Sequence, residues 1–277
     1  MSTVPAPTIP TPTVPAPTHT ATWSTTAFTV AARTIRKLMR TPQVFGIAIV
    51  QSVVFLLMFR YILGGAIGVS GVTYVEFLVP GFVVSGILFT GGGSSVAVAE
   101  DVASGLNDRL RSLPISDRAV LAGRAMADAA LMVIVGLVTL GVGFIIGFRM
   151  HTTVLDFVLA LGLLVVYALS FAIVFAWLGL VSGNAQAAQR LSILAVPFSF
   201  ISSAFVPIAT MPGPVQAFAK AQPLTFMVNS WRGLLLGDAV TRTFDHGLTY
   251  WVVGSLLWAL GIVLVFTPLA VRSYRKG

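Results

Sequence analysis

Long apolar runs separated by short polar joints dominate the chain. Six of them, Val44 to Leu63, Phe77 to Ala99, Ala125 to Gly147, Phe157 to Val181, Leu191 to Ala209 and Thr249 to Val271, are almost free of charge. Each is close to the roughly 20 residues that an α-helix needs to cross a hydrocarbon layer about 30 Å thick. The pattern predicts an all-α, polytopic membrane protein with six transmembrane helices, since helices close their backbone hydrogen bonds without water.

Ahead of the first run, Trp23 to Arg40 has helical period. Phe28, Ala32, Ile35, Leu38 and Met39 fall on one face, and Arg33, Arg36, Lys37 and Arg40 on another. Such an amphipathic helix suits the membrane interface, its apolar side in the acyl chains and its cations among lipid head groups, at about 1 kcal/mol per charge. A helix that binds a soluble partner is the rival reading. Residues 1–22 carry six prolines and no charge, which predicts a disordered Pro/Thr-rich tail. They lack the basic start and unbroken apolar stretch of a signal peptide.

Pro207 to Gly247 is too polar to span and too apolar for plain loop. Its prolines delimit two short helices, Val215 to Ala221 and Leu224 to Leu236, of a length suited to re-entrant or interfacial elements between spans five and six. Arg232 on the second is expected to snorkel outward.

Between spans two and three, Glu100 to Asp128 concentrates charge and must be wet. Gly105, Leu106, Arg109, Leu110 and Leu113 recur at helical spacing, Pro114 ends that helix, and Ser116 with Asp117 can cap the next. A solvated loop needs no such leucines. Either a partner protein covers them or they tuck against the chain's own helices.

Composition supports the class: 56% hydrophobic residues, 9% charged and a mean hydropathy of +0.93, against about 25% charged in soluble domains. The net charge of +8 sits beside the spans, where topology accounts for it, so no nucleic-acid partner is expected. Arg33, Arg36, Lys37, Arg40, the connector arginines, Arg190, Arg272, Arg275 and Lys276 fall on one side, and Arg60, Arg149, Lys220, Arg232 and Arg242 on the other. The excess places both termini and the connector in the cytoplasm of a bacterial cell.

Candidate chemistry is sparse. No cysteine is present, and no charged residue falls near the centre of a span, although ion-coupled carriers need such groups. Arg124 and Asp128, four residues apart, read as an ordinary pair of about 0.2–0.5 kcal/mol at an inner membrane edge. Each lysine precedes a residue other than Ser or Thr, so no loop of the Gly-x-x-x-x-Gly-Lys-Ser/Thr type cradles ATP phosphates. His19, His151 and His246 form no arrangement with Ser and carboxylate, and no metal or catalytic site is expected. Gly91, Gly92, Gly93, Ser94 and Ser95 interrupt the second span with small side chains, which suit close helix packing, local unwinding or a substrate path.

Two stretches carry a resemblance. GLNDRLRSLPISDRAVLAGRAMAD, from Gly105 to Asp128, and AFVPIATMPGPVQAFAKAQPLTFMVNSWRGLLLG, from Ala204 to Gly237, together resemble the type-2 ATP-binding-cassette permeases, and among them the membrane subunits of daunorubicin-resistance-type drug and lipid exporters. The match covers about residues 25–272. The resemblance implies that 23–277 is a permease transmembrane domain that pairs with a second permease chain, identical or homologous, and with two copies of a cytoplasmic ATPase subunit. It implies that Gly105, Leu106, Arg109, Leu110, Leu113 and Pro114 form the helix that couples to that ATPase, with ATP and Mg held by the partner and no cofactor in this chain. Members of the family often carry Glu about three residues before this Gly, whereas Glu100 and Asp101 here precede it by five and four. The expected function is ATP-driven export of a hydrophobic or amphiphilic compound, drug, antibiotic or lipid. A gated channel or scaffold subunit is the alternative, an intramembrane enzyme a weaker one. No cargo-binding residue is identified by sequence.

Overall fold

The computed structural model describes residues 22–40, 42–65, 71–112, 115–242 and 244–276. The tail expected over residues 1–22 lies outside them except for Thr22. Among the described residues twelve α-helices follow one another: α1 Trp23–Arg40, α2 Pro42–Met58 with a π-turn over Phe59–Leu63, α3 Tyr74–Ala103, α4 Leu106–Arg111, α5 Asp117–Ile145, α6 Val154–Val181, α7 Ala185–Ile193, α8 Ala195–Phe200, α9 Gly213–Ala221, α10 Pro223–Leu236, α11 Asp238–Thr241 and α12 Leu248–Lys276. No strand occurs among the described residues.

Four helices, α3, α5, α6 and α12, are long and apolar enough to cross a membrane. In α3, 78% of the most apolar window is buried, against 17% in α12, so α3 is the axis of the bundle and α12 lies at its edge. Thr73 and Thr153 start α3 and α6 with reciprocal capping boxes to Glu76 and Asp156, which satisfy two otherwise orphaned backbone donors each. Tyr167 of α6 bonds Ser230 of α10 and Ser255 of α12, each at 2.7 Å, and joins three helices inside the core.

Helix α1 has the bounds expected from sequence, but it uses a third face. Ala27 and Ala31 are buried, with Val30 and Thr34 beside them, against α5. A Cβ on Gly123 of α5 would overlap the Ala27 carbonyl oxygen, so small residues on both sides let the backbones touch. Trp23, Phe28 and Ile35 stay exposed, which leaves an apolar face open. The side chains of Leu38, Met39 and Arg40 lie outside the described ones.

The fifth expected span, Leu191 to Ala209, is not one continuous helix. Pro197 has no N–H for the Ile193 carbonyl, and the helix is interrupted at Leu194, between the end of α7 at Ile193 and the start of α8 at Ala195. After Phe200 the backbone turns through 201–205, and α10 supplies the missing hydrogen bonds. Gln222 donates to the Ile201 carbonyl, Thr225 accepts from the Ser203 N–H at 3.3 Å, and Asn229 accepts from the Ser203 hydroxyl at 2.8 Å. These polar residues recur every three or four positions, so they form one stripe along an otherwise apolar helix.

Arg232 completes that stripe and does not snorkel outward. It is 1% exposed. Its guanidinium donates to the carbonyls of Phe77 at 3.0 Å and Ser203 at 2.9 Å and to Asn229 Oδ1 at 3.2 Å, and it lies 3.7 Å from the Phe77 ring centre. The carbonyls of the broken segment offer more than water at the rim would, since they lack helical partners. The whole of α10 from Leu224 to Leu236 is buried.

Replacing Arg232 with Met preserves length and removes every donor. About 1–3 kcal/mol of stability should be lost for each carbonyl left unpaired, read as a lower thermal midpoint of the purified chain. Arg232→Lys should recover only part, because a single ammonium cannot span the same acceptors. An unchanged midpoint for the Met variant would show that the guanidinium holds nothing together.

Candidate functional site

The glycine-rich stretch of α3 lies at the centre of the site. The helix runs through it without unwinding, and its small residues do two different things. A Cβ on Gly91 would overlap the Phe175 ring of α6, and one on Gly92 would meet the Ser192 side chain of α7 at 3.3 Å. Ser95 bonds Ser192 at 2.6 Å. Gly93 faces the other way, with nothing within 4 Å of its Cβ position.

Gly93 opens onto a cleft of about 520 Å³. Its walls are α1 and α2 (Thr34, Lys37, Ile47, Gln51), α5 (Leu131) and the broken pair α7 and α8 (Gln189, Ile193, Val196), with Leu88 to Glu100 of α3 as the floor. The lining is mostly apolar, with Gln51, Thr90, Gln189 and Ser192 as neutral polar groups, and its charged residues, Lys37, Glu100, Arg124 and Asp128, gather at the end nearest the connector. Pockets of this size, apolar with a few polar groups at one end, are typical of small-molecule sites.

The charged end is more than an i,i+4 pair. Arg124 donates from Nε to Asp128 at 2.9 Å, from Nη1 to Asp101 at 2.5 Å and from Nη2 to the Ser94 carbonyl at 3.3 Å, while Lys37 of α1 reaches Asp101 at 2.9 Å. Asp128 is 5% exposed. Removing one partner of a buried pair commonly costs about 3–5 kcal/mol, an order of magnitude above the surface value that the sequence spacing implied. The network ties α1, α3 and α5 together, and Arg124 and Thr34 line both this cleft and a narrow crevice behind the connector.

In that crevice the structure places Leu106 and Leu110. Gly105 turns the chain with φ of 69°, a left-handed value that glycine adopts without strain, and α4 follows. Leu106 and Leu110 are half-buried against Val30, Val98, Leu121 and Tyr274, whereas Asp108, Arg109 and Arg111 face outward. Arg111 donates to the Arg275 carbonyl at 2.7 Å, and Arg275 pairs with Asp117 at 2.9 Å, so the end of α12 grips both sides of the connector. Ser116 precedes α5 without a side-chain capping bond. Leu113 and Pro114 lie outside the described residues.

At the opposite end of the bundle, Glu76 accepts from the Thr73 backbone and lies 2.7 Å from His151 Nε2. The Lys220 ammonium, 2.7 Å from Asp245, holds that carboxyl below its ordinary range. Neither pair is near the cleft. The residues that sequence reading missed are the polar stripe of α10, Glu100 as a cleft residue, and the Lys37 to Asp101 link. Only the first left a sequence signal, the three- to four-residue spacing of Gln222, Thr225, Asn229 and Arg232.

Residues 25–236 match the model of the ABC-2 type transporter family. The daunorubicin resistance ABC transporter permease protein DrrB1 of Streptomyces coeruleorubidus is 33% identical over 230 residues, 82% of this chain and 78% of that protein. The probable doxorubicin resistance ABC transporter permease protein DrrC of Mycobacterium tuberculosis is 25% identical over 236 residues, 83% of this chain and 81% of its own.

The two faces of the glycine stretch separate by substitution. Gly91→Ala should lower stability by about 1–3 kcal/mol through overpacking against Phe175. Gly93→Ala should leave it unchanged or raise it by up to about 1 kcal/mol, the helix-propensity gain. Thermal unfolding of the purified variants decides, and the reverse order would contradict the packing described.

Proposed function

The chain belongs to the ABC-2 type transporter family, and from that premise we propose that it exports hydrophobic or amphiphilic compounds along the cleft beside α3. It is the membrane-spanning permease subunit of an ATP-driven exporter, a multi-pass membrane protein whose energy comes from an ATP-binding-cassette partner. The names of the relatives, which refer to daunorubicin and doxorubicin resistance, favour a drug or antibiotic as cargo. The observation that carries the reading is the cleft itself, a largely apolar space of about 520 Å³ with its charged residues at one end, bounded by an intact helix and a broken one.

In this reading two permease chains and two cytoplasmic ATPase subunits form the exporter, ATP and Mg act on the ATPase, and this chain performs no hydrolysis. Six crossings, with α2 as the first and α7 to α8 as an interrupted fifth, put both termini and the connector in the bacterial cytoplasm, as the cation excess favours. Residues 105–114 meet the ATPase. Leu106 and Leu110 seat α4 on its own helices, and Asp108, Arg109 and Arg111 offer the outward side. Movement of α4 then passes to α12 through Arg111 and Arg275 and to the cleft through Asp101 and Arg124. Alternating exposure of the cleft follows from rigid helices moved at one end.

Expression together with its ATP-binding-cassette partner should lower cellular accumulation of an apolar dye. Arg109→Glu should weaken pull-down of that ATPase about fivefold, the equivalent of roughly 1 kcal/mol, and reduce efflux while membrane abundance holds. Leu110→Asp should lower abundance as well, because it forces a charge into the crevice. Full ATPase binding and full efflux with Arg109→Glu would take the connector out of the interface.

A further inference from the structure

The charged groups at the connector end of the cleft are unequal. Lys37 and Arg124 both already hold carboxylates, at Asp101 and at Asp101 with Asp128. Glu100 also faces the cleft and is exposed, and its carboxylate has no ion-pair or hydrogen-bond partner among the described residues. With the paired charges cancelled, the end of the cleft carries an excess negative charge at Glu100, open to a ligand.

The floor leading away from Glu100 is a single stripe. Phe89, Gly93, Ala97 and Glu100 fall on one side of α3 at helical spacing and all line the cleft. At 1.5 Å per residue the stripe is about 16 Å long. Gly93 and Ala97 keep it low, so a ligand can lie against the backbone, with Ile47, Leu131 and Val196 as apolar walls. Glu100 lies three residues before the end of α3. A groove with a charge at the helix end and an aromatic ring about 16 Å further in has the same polarity and depth as one leaflet of a bilayer, whose hydrocarbon half is about 15 Å thick.

We propose that this groove binds an amphiphile with a cationic head, the head on Glu100 and an elongated apolar body along α3 as far as Phe89. The assignment deepens the export reading and rests on it. An amphiphile already oriented in the leaflet enters without inverting, whereas an anionic head would meet the Glu100 carboxylate, with Lys37 and Arg124 already engaged by aspartates. Glu100 is thereby a specificity-determining residue, and the apolar walls are indifferent to head charge.

The chain has no native cysteine, so Ala97→Cys reports the groove. The full chain, copurified with its ATPase in nanodiscs of neutral lipid, is labelled with N-ethylmaleimide in the presence of diphenylhexatriene, its trimethylammonium derivative or its propionate derivative. The cationic probe should slow labelling at about tenfold lower concentration than the other two, the ratio expected of one partly desolvated ion pair. Glu100→Gln should erase that difference and Glu100→Asp should keep part of it. Equal protection by all three probes would overturn the cationic head while leaving the cleft as a cargo site. Absence of protection by any probe, in a preparation that still exports the cationic one, would overturn the cargo site as well. An Ala97→Cys chain that is unreactive without probe and cross-links to a second copy would show the groove to be a protein interface and overturn the proposal.

Discussion

In a hydrocarbon layer, a backbone carbonyl without a donor is several kcal/mol unfavourable, and the arrangement of this chain follows from how that constraint is met between Ile201 and Ala204. The helix stops there, yet the segment is packed inside the bundle. Gln222, Thr225 and Arg232 take over backbone hydrogen bonds that a continuous helix would have made internally, and Asn229 holds the Ser203 hydroxyl. Arg232 contributes most, because one planar guanidinium reaches α3 and the turn together while its charge rests on the Phe77 ring. A short helix buried on all sides is thus a replacement set of donors and acceptors as well as a packing element.

The break also borders the cleft. Ile193 and Val196, on either side of the interruption at Leu194, line the space whose floor is the open side of Gly93. The closed side of the same stretch, at Gly91 and Ser95, fastens α3 to α6 and α7. One face of a helix therefore holds the bundle together and the next face lines the cleft. At the connector end, Arg124 lies between that cleft and the crevice that seats Leu106 and Leu110. Force applied to the connector has a short path of ion pairs to the cleft, through groups whose burial makes each pairing energetically consequential.

Much of this was legible from periodicity. The bounds of α1 matched to the residue, four long helices fell where the apolar runs lay, and the two short helices α9 and α10 followed from their flanking prolines. What local pattern could not show was partnership across the chain. Hydropathy averaged over Leu191 to Ala209 hides Pro197, whose effect is a single missing N–H. An arginine near a helix end reads as a snorkelling side chain unless the carbonyls waiting for it, far back in the chain at Phe77 and nearer at Ser203, are known. Arg124 and Asp128 looked like a surface pair because Asp101 and Lys37 come from other helices. The leucines of the connector illustrate the same point, since spacing gave them a helix and only the fold gave them the crevice.

The central claim is that compounds travel through the cleft over Gly93 when the partner hydrolyses ATP. It is tested most directly with a Gly93→Cys chain reconstituted with its ATPase in vesicles, measuring ATP-driven movement of an apolar dye before and after the cysteine is coupled to a bulky maleimide. The account predicts transport by the unlabelled variant and transport at background after complete labelling, with the complex still assembled. Undiminished transport by the fully labelled protein would contradict it.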